Sequence, residues 1–441
     1  MARKYLIETF GCQMNFHDGE RISGLLEAGG YEATATEADA DLIVLNTCSV
    51  REKAEDKLYS RLGELREATA HRSSPPTVAV TGCVAQQEGA RLLKRSGAID
   101  VVVGTQALKQ LTQAVSTAET NHTKVVDVRP YDDVSFPLGV AKPSDPSRAW
   151  VTIIEGCNEF CSFCVVPYTR GHERMRPSSD ILAEVTRAAE SGRVEVQLLG
   201  QIVNHYQAPD DASCDFAGLL ERVSLIPGIQ RIRFASPHPR HATDRLIAAV
   251  RDLPKVCKHF HLPVQSGSNR ILDAMRRRYT REEYLALVAR LRAEIPDISI
   301  STDIIIGFPG ETAGDFEDTM SLVREVGFTF IYSFKYSPRP NTLAIKRMSD
   351  DVLESEKTRR IIALQALQAA SQLSFHQSQV GRLVEVLVES RSRRRESELS
   401  GRTRGWTSVN FPGPSEWIGR LMAVRITEAA PNSLRGQAEG L

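Results

Sequence analysis

Short apolar runs alternate with helical stretches from Lys4 to about Val128. YLIETF, DLIVLN, TVAVTG and IDVVVG have the length and β-branched content of buried strands, and helical periodicity fills the intervals. Strands alternating with helices predict a parallel sheet wrapped by helices, a Rossmann-like domain over residues 1–128. Residues 129–148 contain four prolines and read as a linker. A second alternating series fills 149–378, with strand candidates AWVTIIE, VEVQLLG, QRIRFAS, KHFHLPV, DISISTDIIIG and FTFIYSFKY. Thr280 and Glu283 have the spacing of a capping box opening the helix REEYLALVARLRAE. Six strand–helix units fall two short of a closed eightfold barrel, so a partial (β/α)6 barrel is expected, followed by one long closing helix from Asp350 to about Gln379. Over 379–441, LVEVLVES, GWTSVNF and WIGRLMAVRIT alternate like strands between Gly and Pro turns, which predicts a small antiparallel β-barrel.

Composition adds little to this α/β reading beyond exclusions. A chain of 441 residues is long enough for two or three domains. The formal net charge is zero, so contact with nucleic acid must come from a local patch rather than a global field. No apolar stretch has membrane-spanning length, and MARKYLIETFGC lacks the apolar core and cleavage site of a signal peptide. A cytoplasmic protein without a membrane partner is expected, and nothing in the sequence calls for more than a monomer.

The eight cysteines are too sparse for a disulfide scaffold, and their positions carry the chemistry. Cys157, Cys161 and Cys164 form C-x3-C-x2-C in EGCNEFCSFCVVPYTRG, just after the first barrel strand, on the face where α/β barrels place their active sites. Three thiolates this close can meet on one metal centre while leaving a position open, as in an iron–sulfur cluster short of its usual fourth cysteine. A zinc site and a redox pair are the alternatives, although no second knuckle or nearby histidine pair is present. Cys12, Cys48 and Cys83 are distant in sequence, yet ETFGC, LNTC and VTGC each end a strand candidate. Strand ends of a parallel sheet share one edge, so these thiols are a second candidate triad. Three small buried hydrophobes are the plainer alternative. Cys214 and Cys257 lack such placement and read as structural.

EGCNEFCSFCVVPYTRG closely resembles the radical-SAM superfamily. With GCQMN, NTCSVREKAEDKLYS, HLPVQSGSNRIL, STDIIIGFPGET and FKYSPRPNT, the chain resembles the methylthiotransferase family nearly end to end, most nearly its branch acting on isopentenylated adenosine in tRNA. The resemblance implies an N-terminal methylthiotransferase domain, a radical-SAM core and a C-terminal TRAM domain. It implies that Cys157, Cys161 and Cys164 hold a [4Fe–4S] cluster whose open iron binds S-adenosylmethionine (SAM). That cluster would cleave SAM reductively to methionine and a 5′-deoxyadenosyl radical, so the hard chemistry belongs to the cofactor. It implies that Cys12, Cys48 and Cys83 hold an auxiliary [4Fe–4S] cluster carrying the methylthio unit, with a second SAM as methyl donor. The product would be 2-methylthio-N6-isopentenyladenosine at position 37 of tRNA, modified at carbon 2. The electron donor would be a reductant such as flavodoxin or ferredoxin, and the sulfur donor stays unidentified.

Other positions are assigned by the same resemblance. Phe163 matches an aromatic that lies against the SAM adenine, with a core phenylalanine as the alternative. Gly200 and Gln201 stand where many radical-SAM enzymes have a glycine and an acidic residue receiving the SAM ammonium. Gln265 and Asp303, read as strand ends, would reach SAM or substrate, with structural hydrogen bonding as the alternative. Seven arginines lie between Gly381 and Gly405. Arg391, Arg393, Arg394, Arg395, Arg402 and Arg404 with Trp406 give the cation and aromatic mixture expected of RNA contact, against the alternative of a solvated loop. Arg276, Arg277 and Arg278 are read as a second patch or an exposed helix face. Two other functions compete: a sibling enzyme acting on a ribosomal-protein aspartate or on threonylcarbamoyl-adenosine, and a non-enzymatic metal-bearing RNA scaffold.

Overall fold

The computed structural model describes residues 2–49, 52–69, 71–72, 74–130 and 145–439, so most of the expected linker lies outside the described residues. These residues form two compact units. One is the described part of Met1–Ser144 with Ile154–Asn158 and Cys164–Arg176; the other comprises Asp145–Ile153, Glu159–Phe163 and the described residues from Pro177 onward.

The first unit is built on six strands: β1 (Arg3–Thr9), β2 (Tyr31–Ala33), β3 (Leu42–Thr47), β4 (Thr77–Thr81), β5 (Val101–Val103) and β6 (Val125–Asp127). They pair in the order β2-β1-β3-β4-β5-β6, every pair parallel. Every side chain of β3 is buried, as a central strand covered on both faces requires. Ile22, Leu26, Leu111 and Val115 cover one face, and Leu58, Leu62, Leu65 and Val84 the other. The two edge strands β2 and β6 are absent from the sequence reading. Each is only three residues long.

The second unit contains all six expected barrel strands, Arg148–Thr152, Glu195–Leu199, Arg231–Phe234, His259–His261, Ser299–Ile306 and Phe330–Lys335. They form two three-stranded parallel sheets. Between the third and fourth strands, Ile232 N–H donates to the Lys255 carbonyl at 2.8 Å and Cys257 N–H to the Ile232 carbonyl at 2.9 Å. That bridge continues the curve and makes a partial barrel. The capping box of Thr280 and Glu283 is present, and the closing helix runs Glu354–Ser378. The terminal strands close into a five-stranded barrel in which all but one ladder is antiparallel. The exception is the parallel pairing of Ser408–Pro412 with Ser433–Ala438, a correction to the purely antiparallel expectation.

Buried arginines near the starts of the barrel strands fasten this small barrel to the larger one. Arg231 donates to Glu385 Oε1 at 2.8 Å and to the Arg402 carbonyl at 2.9 Å. Arg233 donates to the carbonyls of Thr403 at 2.6 Å and Arg404 at 3.0 Å. Glu195, fully buried, accepts from Arg148 at 2.5 Å and Arg233 at 2.8 Å, and Arg148 also pairs with Glu389. Burial pushes the Glu195 carboxyl up, but the charges of Arg233 and Arg148 outweigh it and bring it down to about 2.

Because this folded value lies below the ordinary 4.5, the stabilisation is complete above pH 4.5 and is lost as pH falls toward 2. Glu195→Ala strands two buried cations and is expected to cost about 3–5 kcal/mol in denaturant unfolding at neutral pH. Its stability should lack the decline the parent shows over that acid window.

Candidate metal centres

Strand order brings Cys12, Cys48 and Cys83 together. They follow β1, β3 and β4, which are sheet neighbours ending within one residue of each other: Thr9 pairs with Asn46, the penultimate residue of β3, and Asn46 with Thr81. Side chains of the flanking motifs lock the loops. Asn15 Nδ2 donates to the carbonyls of Phe10 at 3.0 Å and Thr47 at 2.6 Å, Asn46 Nδ2 to the Asn15 carbonyl at 2.7 Å, and Thr47 Oγ1 to the Thr81 carbonyl at 2.6 Å. Gly11 has φ +114°, and a Cβ there would lie 2.1 Å from Cys48 Cβ and 2.9 Å from its Sγ. Only glycine lets the two cysteines approach.

The first unit also brings a buried cation to these thiols. Arg170 donates to Asp18 Oδ2 at 2.6 Å and Asn15 Oδ1 at 3.0 Å, and hydrogen-bonds Cys83. A hydrogen bond from Cys48, reinforced by the Arg170 charge, holds the Cys12 thiol well below its usual value; burial pushes Cys83 up against the pull of Arg170. Asp18 and Arg21 continue the charge network, with Arg21 Nη1 2.8 Å from Glu155 Oε1. None of the eight cysteines is in a disulfide. Among the described residues no three His, Cys, Asp or Glu side chains converge tightly enough to hold a single ion. A tetrahedral zinc takes all its thiolates on one ion, whereas an iron–sulfur cube takes each on a separate iron. Three cysteines outside any disulfide at one sheet edge, with Arg170 beside Cys83, have the donor chemistry that an iron–sulfur cluster would take.

The second triad lies on the C-x3-C-x2-C loop, with Cys157 and Cys164 in the first unit and Cys161 in the second. Within the first, Cys157 is buried and its N–H donates to the Gly171 carbonyl at 3.1 Å, while Cys164 is half-buried. Within the second, Cys161 is half-buried and accepts from Arg277 Nη1 at 3.4 Å. Ser162 is clamped from both sides: its N–H and Oγ donate to the carbonyls of Met275 and Ala274, and its carbonyl accepts from Ala344.

Phe163 packs against Ile271, Met275, Phe308, Tyr336 and Ala344, so its ring belongs to the core cluster as well as to the cysteine loop. Gly200 is buried just after its strand, and Gln201 has a buried Oε1 that meets no hydrogen-bond donor among the described residues. Gln265 adopts φ +75° and its N–H meets the Asp303 carbonyl at 2.9 Å. Asp303 lies within Ser299–Ile306 rather than at its end, a correction, and its Oδ1 is 3.3 Å from His261 Nε2. The arginine run at 276–278 is neither one patch nor a helix face: Arg276 and Arg278 are exposed, while Arg277 is buried on Cys161. Cys214 and Cys257 are buried and their thiols raised by burial, as structural cysteines should be.

The terminal basic set divides. Arg391, Arg393, Arg394 and Arg395 are exposed. Arg402 pairs with Glu389 at 3.4 Å and Arg404 with Glu385 at 3.6 Å. The Trp406 ring stacks on His259 and receives Arg402 at 4.3 Å and Arg233 at 4.9 Å from its centroid. These three residues sit in the joint between the barrels, because the joint needs partners for buried charge. Sequence reasoning missed Asn15, Asp18, Arg170 and Glu159, the last pairing with His241 at 3.0 Å, and it named Arg277 without its contact to Cys161. Asn15, Glu159 and Arg170 stand inside quoted motifs and Asp18 three residues past one, but periodicity assigns them no role.

Three family models match the chain: an uncharacterized protein family, UPF0004, over residues 4–104, the radical SAM superfamily over 151–323 and the TRAM domain over 377–438. A tRNA-2-methylthio-N(6)-dimethylallyladenosine synthase of Methylococcus capsulatus is 45% identical across 100% of this chain and 96% of its own. One of Thiobacillus denitrificans is 46% identical across 99% and 98%. Among solved structures, the radical S-adenosylmethionine methyltransferase TsrM of Kitasatospora setae, with cobalamin and a [4Fe–4S] cluster bound, superposes with a TM-score of 0.57 at 15% identity, covering 78% of this chain and 74% of that one. At that identity the likeness concerns fold alone.

In metal-free protein, alkylation of Cys12 should level off at a lower pH than that of Cys83, followed by mass spectrometry. Arg170→Gln removes a nearby cation and should move the Cys12 profile to higher pH; an unmoved profile would contradict the assigned contact.

Proposed function

This chain belongs to the family of tRNA-2-methylthio-N6-dimethylallyladenosine synthases, and from that premise we propose how its residues divide the work. The protein is a radical-SAM tRNA methylthiotransferase. It places a methylthio group on carbon 2 of N6-isopentenyladenosine at position 37. The observation that carries our reading of the sites is the meeting of Cys12, Cys48 and Cys83 on one sheet edge, in a chain that also holds the C-x3-C-x2-C loop.

Cys157, Cys161 and Cys164 hold one [4Fe–4S] cluster, and Cys12, Cys48 and Cys83 a second. When bound, the clusters and SAM supply the one-electron, methyl and sulfur chemistry that no side chain offers. The protein's own work is placement. Asn15, Asn46, Thr47 and Gly11 fix the auxiliary thiols, and Arg170 offsets their negative charge. Ser162 fixes the radical loop, while Phe163, Gly200, Gln201, Gln265 and Asp303 are assigned to SAM and the substrate base. Gln201 in place of an acid leaves a neutral acceptor, its buried Oε1, for the SAM ammonium. We assign Met1–Val128 to the auxiliary cluster, 149–378 to the radical and 379–441 to RNA, with 129–148 as linker. Arg391, Arg393, Arg394 and Arg395 meet tRNA phosphates, leaving Arg402, Arg404 and Trp406 to support that surface from the joint. A monomer working in the cytoplasm with a flavodoxin- or ferredoxin-type reductant completes the proposal. Among the described residues no helix is long and apolar enough to cross a membrane.

Anaerobic protein incubated with SAM, reductant and isopentenylated tRNA should yield 5′-deoxyadenosine and the methylthiolated nucleoside. Cys157→Ala should abolish both. Cys48→Ala should retain part of the SAM cleavage while losing methylthiolation, and equal loss of both products in the two variants would overturn the division. Replacing Arg393, Arg394 and Arg395 with alanine should weaken tRNA binding and flatten the log–log salt dependence by about two units, as for three lost contacts to single-stranded phosphates. An unchanged slope would remove that face from the interface.

A further inference from the structure

Arg277 is one of the most deeply placed cations in the second unit, and its surroundings are unusual for an arginine. Nε donates to Tyr279 Oη at 3.0 Å, Nη2 to the Pro263 carbonyl at 2.9 Å and Nη1 to Cys161 Sγ at 3.4 Å. Among the described residues it meets no carboxylate. Its exposed neighbour Arg278 has one, Glu159 at 3.5 Å. The contrast with Arg170 is direct, since that guanidinium is matched by Asp18 at 2.6 Å. Buried charges are ordinarily paired because desolvation costs several kcal/mol per ion. A carbonyl satisfies N–H groups without cancelling charge, and burial raises the Tyr279 phenol above its already high ordinary value, so near neutral pH the sulfur is the partner of Arg277 suited to carry an opposing charge.

The backbone is shaped to deliver this side chain. The helix Asn269–Ala274 ends with Arg277 N–H donating to the Leu272 carbonyl at 2.9 Å, and Arg276 there takes φ +58°. A left-handed residue is ordinary at a helix end. Arg278 repeats it at φ +58° one residue beyond Arg277, a conformation that costs on the order of 1 kcal/mol or more for a side chain of this size. The pair of reversals turns Arg276 and Arg278 outward and Arg277 inward.

We propose that Arg277 is a positioning residue that sets the reduction potential of the cluster held by Cys161, through an unneutralised buried charge and an N–H···S hydrogen bond to that ligand. The inference rests on the cluster reading given above. Cluster potential depends on net charge, hydrogen bonds to sulfur and solvent exposure. Both Arg277 terms favour the reduced, more negative cluster, so they ease the electron's entry from the reductant. Arg170 also offsets charge, but its own carboxylate partner makes that network close to neutral.

The test uses the full chain with Cys12, Cys48 and Cys83 changed to alanine, so that only the Cys157 site is loaded. Its reduction is titrated by electron paramagnetic resonance with Arg277, R277Q and R277K. At a fixed potential the reduced-to-oxidised ratio should fall about tenfold in R277Q, about 59 mV for a one-electron couple. R277K, which keeps the charge, should recover much of it. An R277Q cluster with an unshifted potential overturns the proposal, whatever happens to its thermal stability. If R277Q fails to load, R277K decides: a loaded cluster near the parent potential supports a charge role, and loss of the cluster there too overturns it. A parent that carries no cube at all would sink the cluster reading and this inference with it, a failure distinct from an unshifted potential.

Discussion

Strand direction is the constraint on which the chemistry depends. In an all-parallel sheet every strand leaves at the same edge, so residues far apart in sequence meet without any long-range signal between them. Cys12, Cys48 and Cys83 meet because β1, β3 and β4 are neighbours ending within one residue of each other. A single antiparallel strand among the three would send one thiol to the opposite edge. The same rule places the C-x3-C-x2-C loop just beyond the first barrel strand, where the chain must turn before its next helix.

Thiolates gathered to hold a cluster would create a second constraint, because clustered negative charge in a protein interior must be answered. Each unit answers with a buried guanidinium on a cysteine, Arg170 on Cys83 in one and Arg277 on Cys161 in the other. Arginine suits this role: it stays charged when buried and its fork holds several acceptors at once. The barrel joint shows the same preference turned to stability, with Glu195 held between Arg148 and Arg233. In the joint the charges cancel. At Arg277 the balance is left to the sulfur.

Legibility in the sequence followed side-chain chemistry closely. Buried central strands such as DLIVLN and TVAVTG announce themselves by continuous apolar runs, while barrel strands such as RIRF and HFH are legible by alternation instead. Glu398–Thr403 (ELSGRT) and Ser433–Ala438 (SLRGQA) did not, because glycine stands at an inward position of each. At Gly401 a Cβ would fall 2.2 Å from the Leu387 carbonyl, so close strand approach replaces the apolar side chain that pattern reading looks for. The cysteines were legible as triads because thiols are rare and strand ends are recognisable. The polar residues supporting them were not, since Asn15, Asp18 and Arg277 look like surface residues until the fold buries them. Arg402, Arg404 and Trp406 show the other direction: a cation and aromatic cluster gives no sign in sequence of its partners across the joint, Glu389, Glu385 and His259.

The central claim is that two separate triads each hold an iron–sulfur cube by three thiolates. The most direct measurement is iron and acid-labile sulfide per chain, with Mössbauer spectra, on anaerobically loaded protein. The wild type is expected to carry about eight of each, and about four after alanine replaces either triad. Wild type carrying about four, or a triad holding zinc, would contradict the account.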